Sequence, residues 1–459
     1  MAASLSVAVA APASTRPRYG GTLRISIREA PTSLDPIDSG QPGISALPSL
    51  SRLIFDTLAI LDARGQTQPA LSSSWQADNG NQRWQFNIRR GVAFHDGTAV
   101  SPDAVAAALR AANPSWKVFA SGEAVIVECH APTPNLPAVL ALSRNSIAKR
   151  SGGKLVGSGP FAITQWDPGK KLVLTARDDY WGGRAFVDSV EIEMGKGFRE
   201  QMIAMDLGKA DIVEVAPEQA RHAVLEGRRV ETSAPAEWMA LVFNREIGHD
   251  IDSAADAKLR EALAYSIDRE SMNNVLLQGG GEPASTFLPN WLTGYAFLFP
   301  TAVDLQRARL ARDEVQQAPL WTLGYDRSDP LAGVIAERIA LNASDAGLRL
   351  QATNATGAYA RLVRIPLPSL DARLALTKLA ASVGLIQPRF DGSAEADPAP
   401  GDPAGSLFAA ESALLQSQGV IPLLHLRNAV ALGATVMGWQ EDPDGSWRLQ
   451  SVWLETGKP

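Results

Sequence analysis

Five histidines and one cysteine are the residues that could carry metal, nucleophilic or general-base chemistry, and their spacing supports none of it. His95, His130, His222, His249 and His425 are scattered along the chain, with no His-Glu-x-x-His and no Cys/His pairing of the kind a zinc site requires. No Gly-x-Ser-x-Gly elbow is present. Gly157-Ser158-Gly159-Pro160-Phe161-Ala162 has the glycine spacing of a dinucleotide loop. Such a loop must open a helix whose N-terminus faces pyrophosphate, whereas here Pro160 and a strand-like 161–166 follow. Gly152 to Ser158 repeats the glycine spacing of a phosphate loop, but Ser158 stands where the lysine belongs. His95-Asp96-Gly97-Thr98 looks catalytic, yet Asp-Gly is a turn dipeptide, and Ser101-Pro102-Asp103 behind it has the order of a helix start. Its simplest reading is a turn feeding a capped helix. The acidic pairs Asp178-Asp179 and Glu441-Asp442 sit in turn-like contexts and read as solvated surface. The chemistry-bearing residues therefore predict no catalytic residue, no metal and no cofactor.

Eleven tryptophans remain. Most must be core, because the ring buries a large apolar area wherever it packs. Trp116, Trp166, Trp181, Trp238 and Trp291 fall at strand ends or in loops, where aromatic planes could line a ligand cleft between lobes.

The elements that must position such a cleft alternate between strand and helix. Leu23, Ile25 and Ile27 share one strand face, and Trp84, Phe86 and Ile88 another. The Ala-rich 104–112 reads as a helix. Strands follow around 172–176 and 190–194, and Phe198, Met202 and Met205 fall at helical spacing up to Gly208. Trp238 to Phe243 reads as a buried strand, and Leu259, Leu263 and Ile267 as one helix face. A strand at 320–325, a helix at 331–345 and a strand at 348–350 give a β-α-β rhythm. The Pro-, Gly-, Ala- and Asp-rich 391–406 reads as a linker. At 459 residues, 45% hydrophobic and 20% charged, the chain can bury a sizeable core. A net charge of -6 without any basic stripe argues against a nucleic-acid partner. Cys129 has no second cysteine to pair with. No apolar run approaches the roughly 18 residues of a membrane span. Residues 1–17 read as a signal-like or disordered N-terminus: Leu5 to Ala11 is apolar and Ala11-Pro12-Ala13 fits a cleavage site, although the charged n-region is missing. Export is the expectation.

Taken in order, several segments resemble the extracellular solute-binding proteins of family 5, the peptide- and nickel-binding components of ABC importers. The resemblance rests on Gly20-Gly21-Thr22-Leu23-Arg24, Ser33-Leu34-Asp35-Pro36, Ile54-Phe55-Asp56-Thr57-Leu58 and, most specifically, Trp84 to Thr98. It continues through Gly157 to Phe161, Tyr180-Trp181-Gly182-Gly183, Leu207 to Ile212, Phe243-Asn244, Leu259 to Arg269, and Pro289 with Gly294-Tyr295, and returns at Ile421-Pro422-Leu423. Between about 355 and 420 the chain is shorter than usual for the family, and the Gly-Trp…Asp-Pro-Asp segment that grips peptide ends has no match there.

The resemblance implies an α/β, periplasmic-binding-protein-like fold of the cluster C type, with two main lobes around a cleft and an inserted smaller subdomain. A discontinuous main lobe would comprise 18–45, 157–236 and 426–459, a smaller lobe 46–156 and a third lobe 237–425. The implied role is capture of a short peptide or other small solute by hinge closure, with delivery to an ABC permease of the inner membrane, by a periplasmic monomer. The implied ligand contacts are Asp38, Ser39 and Ile44 after the first strand, Trp116 and Arg144 in the smaller lobe, and Trp238, Asn244, Trp291 and Tyr295 across the cleft. A sensory or scaffold protein with altered or lost ligand binding stays open, as does, at greater distance, a hydrolase.

Overall fold

The computed structural model describes residues 16–38, 44–244, 253–296, 298–355, 357–390, 403–416 and 418–455. Its backbone is an eleven-stranded sheet that serves two lobes, with a small lobe beside it. In the first lobe, β1 (Thr22–Ser26) runs parallel to both β12 (Ser189–Glu193) and β13 (Ile212–Glu214). The hairpin β10 (Phe161–Asp167) and β11 (Lys171–Ala176) extends that edge, with β11 antiparallel to β12. Leu23, Ile25, Leu172, Leu174, Val190 and Ile192 fill one face of this sheet. Helices α4 (Phe198–Asp206) and α5 (Pro217–Leu225) cover a small core on the other. A short pair, β20 (Val436–Met437) and β21 (Trp453–Leu454), closes the lobe.

The small lobe holds a four-stranded sheet, in the order β4 (Ser72–Ala77), β5 (Arg83–Ile88), β7 (Ala124–Glu128), β6 (Lys117–Ser121). Helix α2 (Pro102–Ala112) starts where its signals predict, with Ser101 Oγ accepting from Ala104 N at 3.2 Å and Pro102 in the first turn. Its Val105 and Leu109 are fully buried against Phe86 and Phe94, each worth about 1.5–3 kcal/mol of apolar burial. Two hairpins, β2 (Ala59–Leu61) with β3 (Thr67–Pro69) and β8 (Lys149–Ser151) with β9 (Lys154–Val156), and the short helix α3 (Leu136–Leu140) complete it. The reading of 46–156 as one lobe places α1 (Ala46–Ile54) here, but its Leu50, Leu53 and Ile54 pack into the core of the first lobe.

The third lobe carries β16 (Leu320–Gly324) parallel to both β17 (Arg349–Thr353) and β18 (Ala360–Pro366), with β15 (Gly281–Pro283) on the far side. Helices α6 (Ser253–Ser266), α9 (Leu305–Asp313) and α10 (Pro330–Asp345) pack on one face. Helices α11 (Ala372–Ser382) and α12 (Pro403–Gln416) cover the other, near the short α8 (Asn290–Thr293). The one-turn α7 (Arg269–Ser271) runs on into a π-helical turn at Met272–Leu276. Helix α12 begins at Pro403, inside the 391–406 stretch that composition assigns to a linker; proline's fixed φ suits a first helical turn.

Two long strands join the lobes. β14 (Arg229–Phe243) and β19 (Val420–Leu432) pair antiparallel along their whole length. At one end they belong to the first sheet, where Val213 faces Ala431; at the other they belong to the third lobe, where Leu241 faces Leu362. Their register shifts on both sides of Pro235. Proline cannot donate to the ladder, so this is where the paired strands pass from one lobe to the other.

The small lobe is fixed to the first by the buried carboxylate of Asp56, which accepts from Ser158 Oγ at 2.9 Å, Tyr180 Oη at 2.8 Å and Trp181 Nε1 at 3.2 Å. Beside it Gly157 lies so close to the Ile54 carbonyl that any Cβ would overlap it. Asp56→Ala strands one buried and two part-buried donors and is expected to cost about 3 kcal/mol, read as a lower denaturant midpoint with an unchanged slope.

Candidate ligand-binding cleft

The cleft is assembled from the segments that leave the shared sheet. After β1 the chain delivers Arg28 and Glu29. The Glu29 carboxylate accepts from Ser45 N and Ser45 Oγ, each at 3.0 Å, and from Ala46 N at 2.8 Å. It thus caps α1, whose own N-terminal residues make no side-chain cap. Arg28 donates its backbone N–H to Glu214 and lays its guanidinium 5.8 Å over the Phe198 ring. Among the described residues that guanidinium has no ion-pair partner.

Helix α1 then presents Arg52, which donates to Asp442 at 2.8 Å, to Asp444 at 3.2 Å and to Ser446. Arg448 holds the other oxygen of Asp442. Two arginines therefore neutralise Asp442 and Asp444 and tie the 441–447 turn to the helix, while Trp447 N donates to Ser49 Oγ at 3.2 Å. Among the described residues the Glu441 carboxyl has no ion-pair partner. Its carboxyl is pushed up to about 8 by burial first and by repulsion from Asp444 and Asp442 next.

The third lobe supplies the opposite wall. Glu237 on β14 pairs with Arg364 on β18, and Arg364 reaches Asp329 at 3.5 Å. Arg427 on β19 pairs with Glu282 and donates to Ser233 O at 3.2 Å. Beyond Arg364 the wall is the apolar run Ile365-Pro366-Leu367-Pro368. Together these residues enclose a cavity of about 320 Å³. A side chamber of about 140 Å³, bounded by Asp326 and Asp329, shares Arg28, Glu29, Glu237 and Arg364 with it. Most charges on these walls are spent on one another or on helix capping, and Glu214 accepts from Arg28 N and Gln201; among the described residues the Arg28 guanidinium and the Glu441 carboxyl have no ion-pair partner. Both face the same cavity, Arg28 as a cation and Glu441 as a carboxyl that holds its proton below about pH 8.

Of the residues nominated from sequence, Ile44 lies on this wall. Ser39 lies outside the described residues. Asp38 stands in the turn after β1, its N–H donated to Asp35 O at 3.0 Å, and does not line the cavity. Trp116 packs against the small-lobe core. Arg144 donates to Ala112 O at 2.9 Å, although its neighbours Ala141, Leu142 and Ser143 do reach the cavity. Trp238 is 2% exposed and stacks on Phe287 at 4.5 Å. Asn244 ends β14, donating its N–H to Tyr359 O at 2.8 Å. Trp291 Nε1 donates to Pro235 O at 2.9 Å, at the point where the lobes join. Tyr295 donates to buried Glu411 at 2.6 Å. The nominated aromatics are placed in the cores or on the backbone, and the cleft is lined by apolar and small side chains among which arginines, carboxylates and prolines are set.

What the sequence reading passed over is mostly charge. Glu441-Asp442 is not solvated surface: Asp442 is 6% exposed and doubly paired. Asp178 and Asp179, by contrast, do reach solvent. A Gly-Trp…Asp-Pro-Asp run does stand in the chain, at 438–444 rather than between 355 and 420, and its turn borders the cleft. That run was a visible signal. Arg28 and Glu29 had none beyond following a strand. His95-Thr98 is a turn: Asp96 Oδ1 accepts from Thr98 N at 3.1 Å, and His95, its ring pushed down to about 4 by burial, contacts Gly159 O at 3.1 Å. Among the described residues no cluster of His, Cys, Asp and Glu could hold a metal.

Comparison with known proteins agrees with this architecture. Residues 66–357 match the sequence profile "Bacterial extracellular solute-binding proteins, family 5 Middle", and the chain belongs to that family of solute-binding proteins. It is 25% identical over 333 residues to a probable D,D-dipeptide-binding periplasmic protein of Escherichia coli, covering 65% of this chain and 64% of that protein. It is 26% identical over 341 residues to the periplasmic murein peptide-binding protein of Escherichia coli, covering 64% of this chain and 61% of that one. The matched portion thus spans less than two thirds of these relatives. Two solved structures share the fold. One is the dipeptide-binding protein of Pseudoalteromonas sp. SM9913 in complex with Met-Leu, with TM-score 0.79 at 17% identity over 95% of this chain and 100% of that one. The other is the oligopeptide-binding protein AppA of Bacillus subtilis in complex with a nonapeptide, with TM-score 0.77 at 16% identity over 96% of this chain and 100% of that one. No helix among the described residues is long and apolar enough to cross a membrane.

The lone carboxyl of Glu441 makes stability depend on pH. Its folded-state value, about 8, lies above its ordinary 4.5, so between those pH values the folded chain binds more protons than the unfolded one and loses stability as pH rises. Glu441→Gln removes that loss. The melting temperature of the variant should exceed that of the wild type by a margin that grows from pH 5 to pH 8, as read by differential scanning calorimetry.

Proposed function

We propose that this chain is the solute-binding component of an ABC importer, acting in the periplasm as a monomer. It captures a short peptide or a zwitterionic solute of similar size between its lobes and hands it to an inner-membrane permease. The observation that carries the reading is a pair of ionisable groups without an ion-pair partner, Arg28 and Glu441, on the walls of one cavity. A guanidinium grips a carboxylate with two parallel hydrogen bonds, and the Glu441 carboxyl, which holds its proton below about pH 8, pairs with an ammonium by giving up that proton on binding. The apolar Ile365-Pro366-Leu367-Pro368 wall and the Phe198 and Trp447 rings accept side chains without demanding a sequence. The cavity volume of about 320 Å³ is at the small end of ligand pockets, which favours a compact ligand. Relatives named for D,D-dipeptide and murein peptide binding are consistent with such a solute.

The lobes meet through β14 and β19 alone as continuous strands, so they can hinge about the 233–236 and 427–428 crossing while each keeps its own core. The chemistry needs no nucleophile, and binding energy comes from enclosing the solute.

Native mass spectrometry of protein purified without denaturation identifies the bound solute. Calorimetric titration of that solute, or of an equimolar dipeptide library, into wild type and Arg28→Met is then expected to show affinity lower by about 10- to 100-fold in the variant, as for a lost charge-assisted hydrogen bond. Equal affinities would remove Arg28 from the site. A protein that retains and binds nothing would favour a sensory or scaffold role.

A further inference from the structure

The small lobe touches the third lobe across the cleft. Leu61 at the end of β2 and Ala138 in α3 are buried in the same apolar cluster as Leu367, Leu370, Leu374 and Leu379 of the third lobe. The turn between β2 and β3 reaches furthest. There Gly65, at φ +72°, lies against the Leu370 backbone so closely that a Cβ would overlap its carbonyl oxygen. Both sides of this contact are stiff. Asp62 holds its turn by accepting from Arg64 N at 2.9 Å, Gln66 N at 3.0 Å and Gln68 Nε2 at 2.9 Å. Opposite, Asp371 caps α11 through Leu374 N at 2.8 Å, and Ser369 Oγ accepts from Asp371 N at 3.1 Å. The small lobe is itself fixed to the first through Asp56, so the contact lies across the boundary that must open.

We propose that the meeting of the 62–66 turn with Leu370, sealed by Leu61 and Ala138, is the stop and latch of cleft closure. This rests on the hinge reading above. Two rigid turns that touch end to end set a fixed closed angle, and the apolar seam beside them favours that angle before any ligand contributes. The closed cavity then has one size, and a solute too large for it holds Gly65 and Leu370 apart. A glycine is required at the tip, because any side chain there acts as a wedge.

The test needs no ligand. Spin labels at Gln76→Cys in the small lobe and Leu341→Cys in the third lobe, both exposed, in a Cys129→Ser background, report the distance between lobes by double electron–electron resonance. The ligand-free parent should show a short-distance population. Gly65→Asn should lose it. Gly122→Asn, which imposes a similar positive φ in another hairpin tip of the same lobe but has open space around it, should keep it. Ala138→Gln, which crowds the seam without touching the turn, should reduce it as well. Any ligand of the parent should bind Gly65→Asn about tenfold more weakly if the closed fraction falls tenfold. Parent and Gly65→Asn distributions that coincide would overturn the latch. A parent that binds no solute, yet loses its short distance with Gly65→Asn, would leave the latch standing and sink the transport reading instead.

Discussion

Everything in this molecule depends on one backbone constraint: β14 and β19 must stay paired while carrying one sheet through two lobes. A continuous antiparallel ladder would lock the lobes onto one twisted surface. The break around Pro235 relieves that, and the backbone groups freed there are met locally. Ser233 Oγ accepts from Asn428 N at 2.9 Å, Ser233 O from Arg427 and Pro235 O from Trp291. Each free partner would otherwise be a buried polar group without a hydrogen bond. The cleft lies where the shared sheet passes from one lobe to the other, and segments that leave its strands form the walls.

Charge on those walls is organised by pairing. Arg52 and Arg448 draw the 441–447 turn onto α1, Arg364 spans Glu237 and Asp329, and Glu29 is consumed by a helix N-terminus. Half-buried ion pairs of this kind add little stability by themselves, since desolvation offsets their attraction. Their consequence is selective: among the described residues they leave Arg28 as a cation without an ion-pair partner and Glu441 as a protonated carboxyl, which a zwitterion could engage, Glu441 giving up its proton on binding. The same economy appears in the small lobe, where three donors share Asp56 and fix one lobe on another. These two arrangements supply the rigid bodies that the proposed hinge requires.

The fold was legible wherever periodicity was strong. The strand at 22–26, the capped helix at 102–112 and the β-α-β run from 320 to 353 appear as their patterns predict. The full length of β14 was not legible, because its first half carries exposed Arg229, Glu231 and Thr232, and only the part covered on both faces reads as a continuous apolar run. Most of the cleft was hidden for a different reason. Aromatic residues attract attention in a sequence, but Trp238, Trp116 and Tyr295 found packing or a hydrogen-bond partner within their own lobes. The ionisable residues that do line the cavity are common types set among apolar and small side chains. Their value comes from what pairs with them in space, as with Glu441 beside Asp442 and Asp444, and spacing along the chain does not carry that information.

The central claim is that a solute is enclosed between lobes that close about β14 and β19. Small-angle X-ray scattering of the protein stripped of bound solute, repeated after adding back the solute recovered from native material, tests it most directly. The account predicts a smaller radius of gyration with solute and a shift of the whole population, as expected for closure about a hinge. A scattering profile that does not change, in a sample shown by calorimetry to have bound the solute, would contradict it.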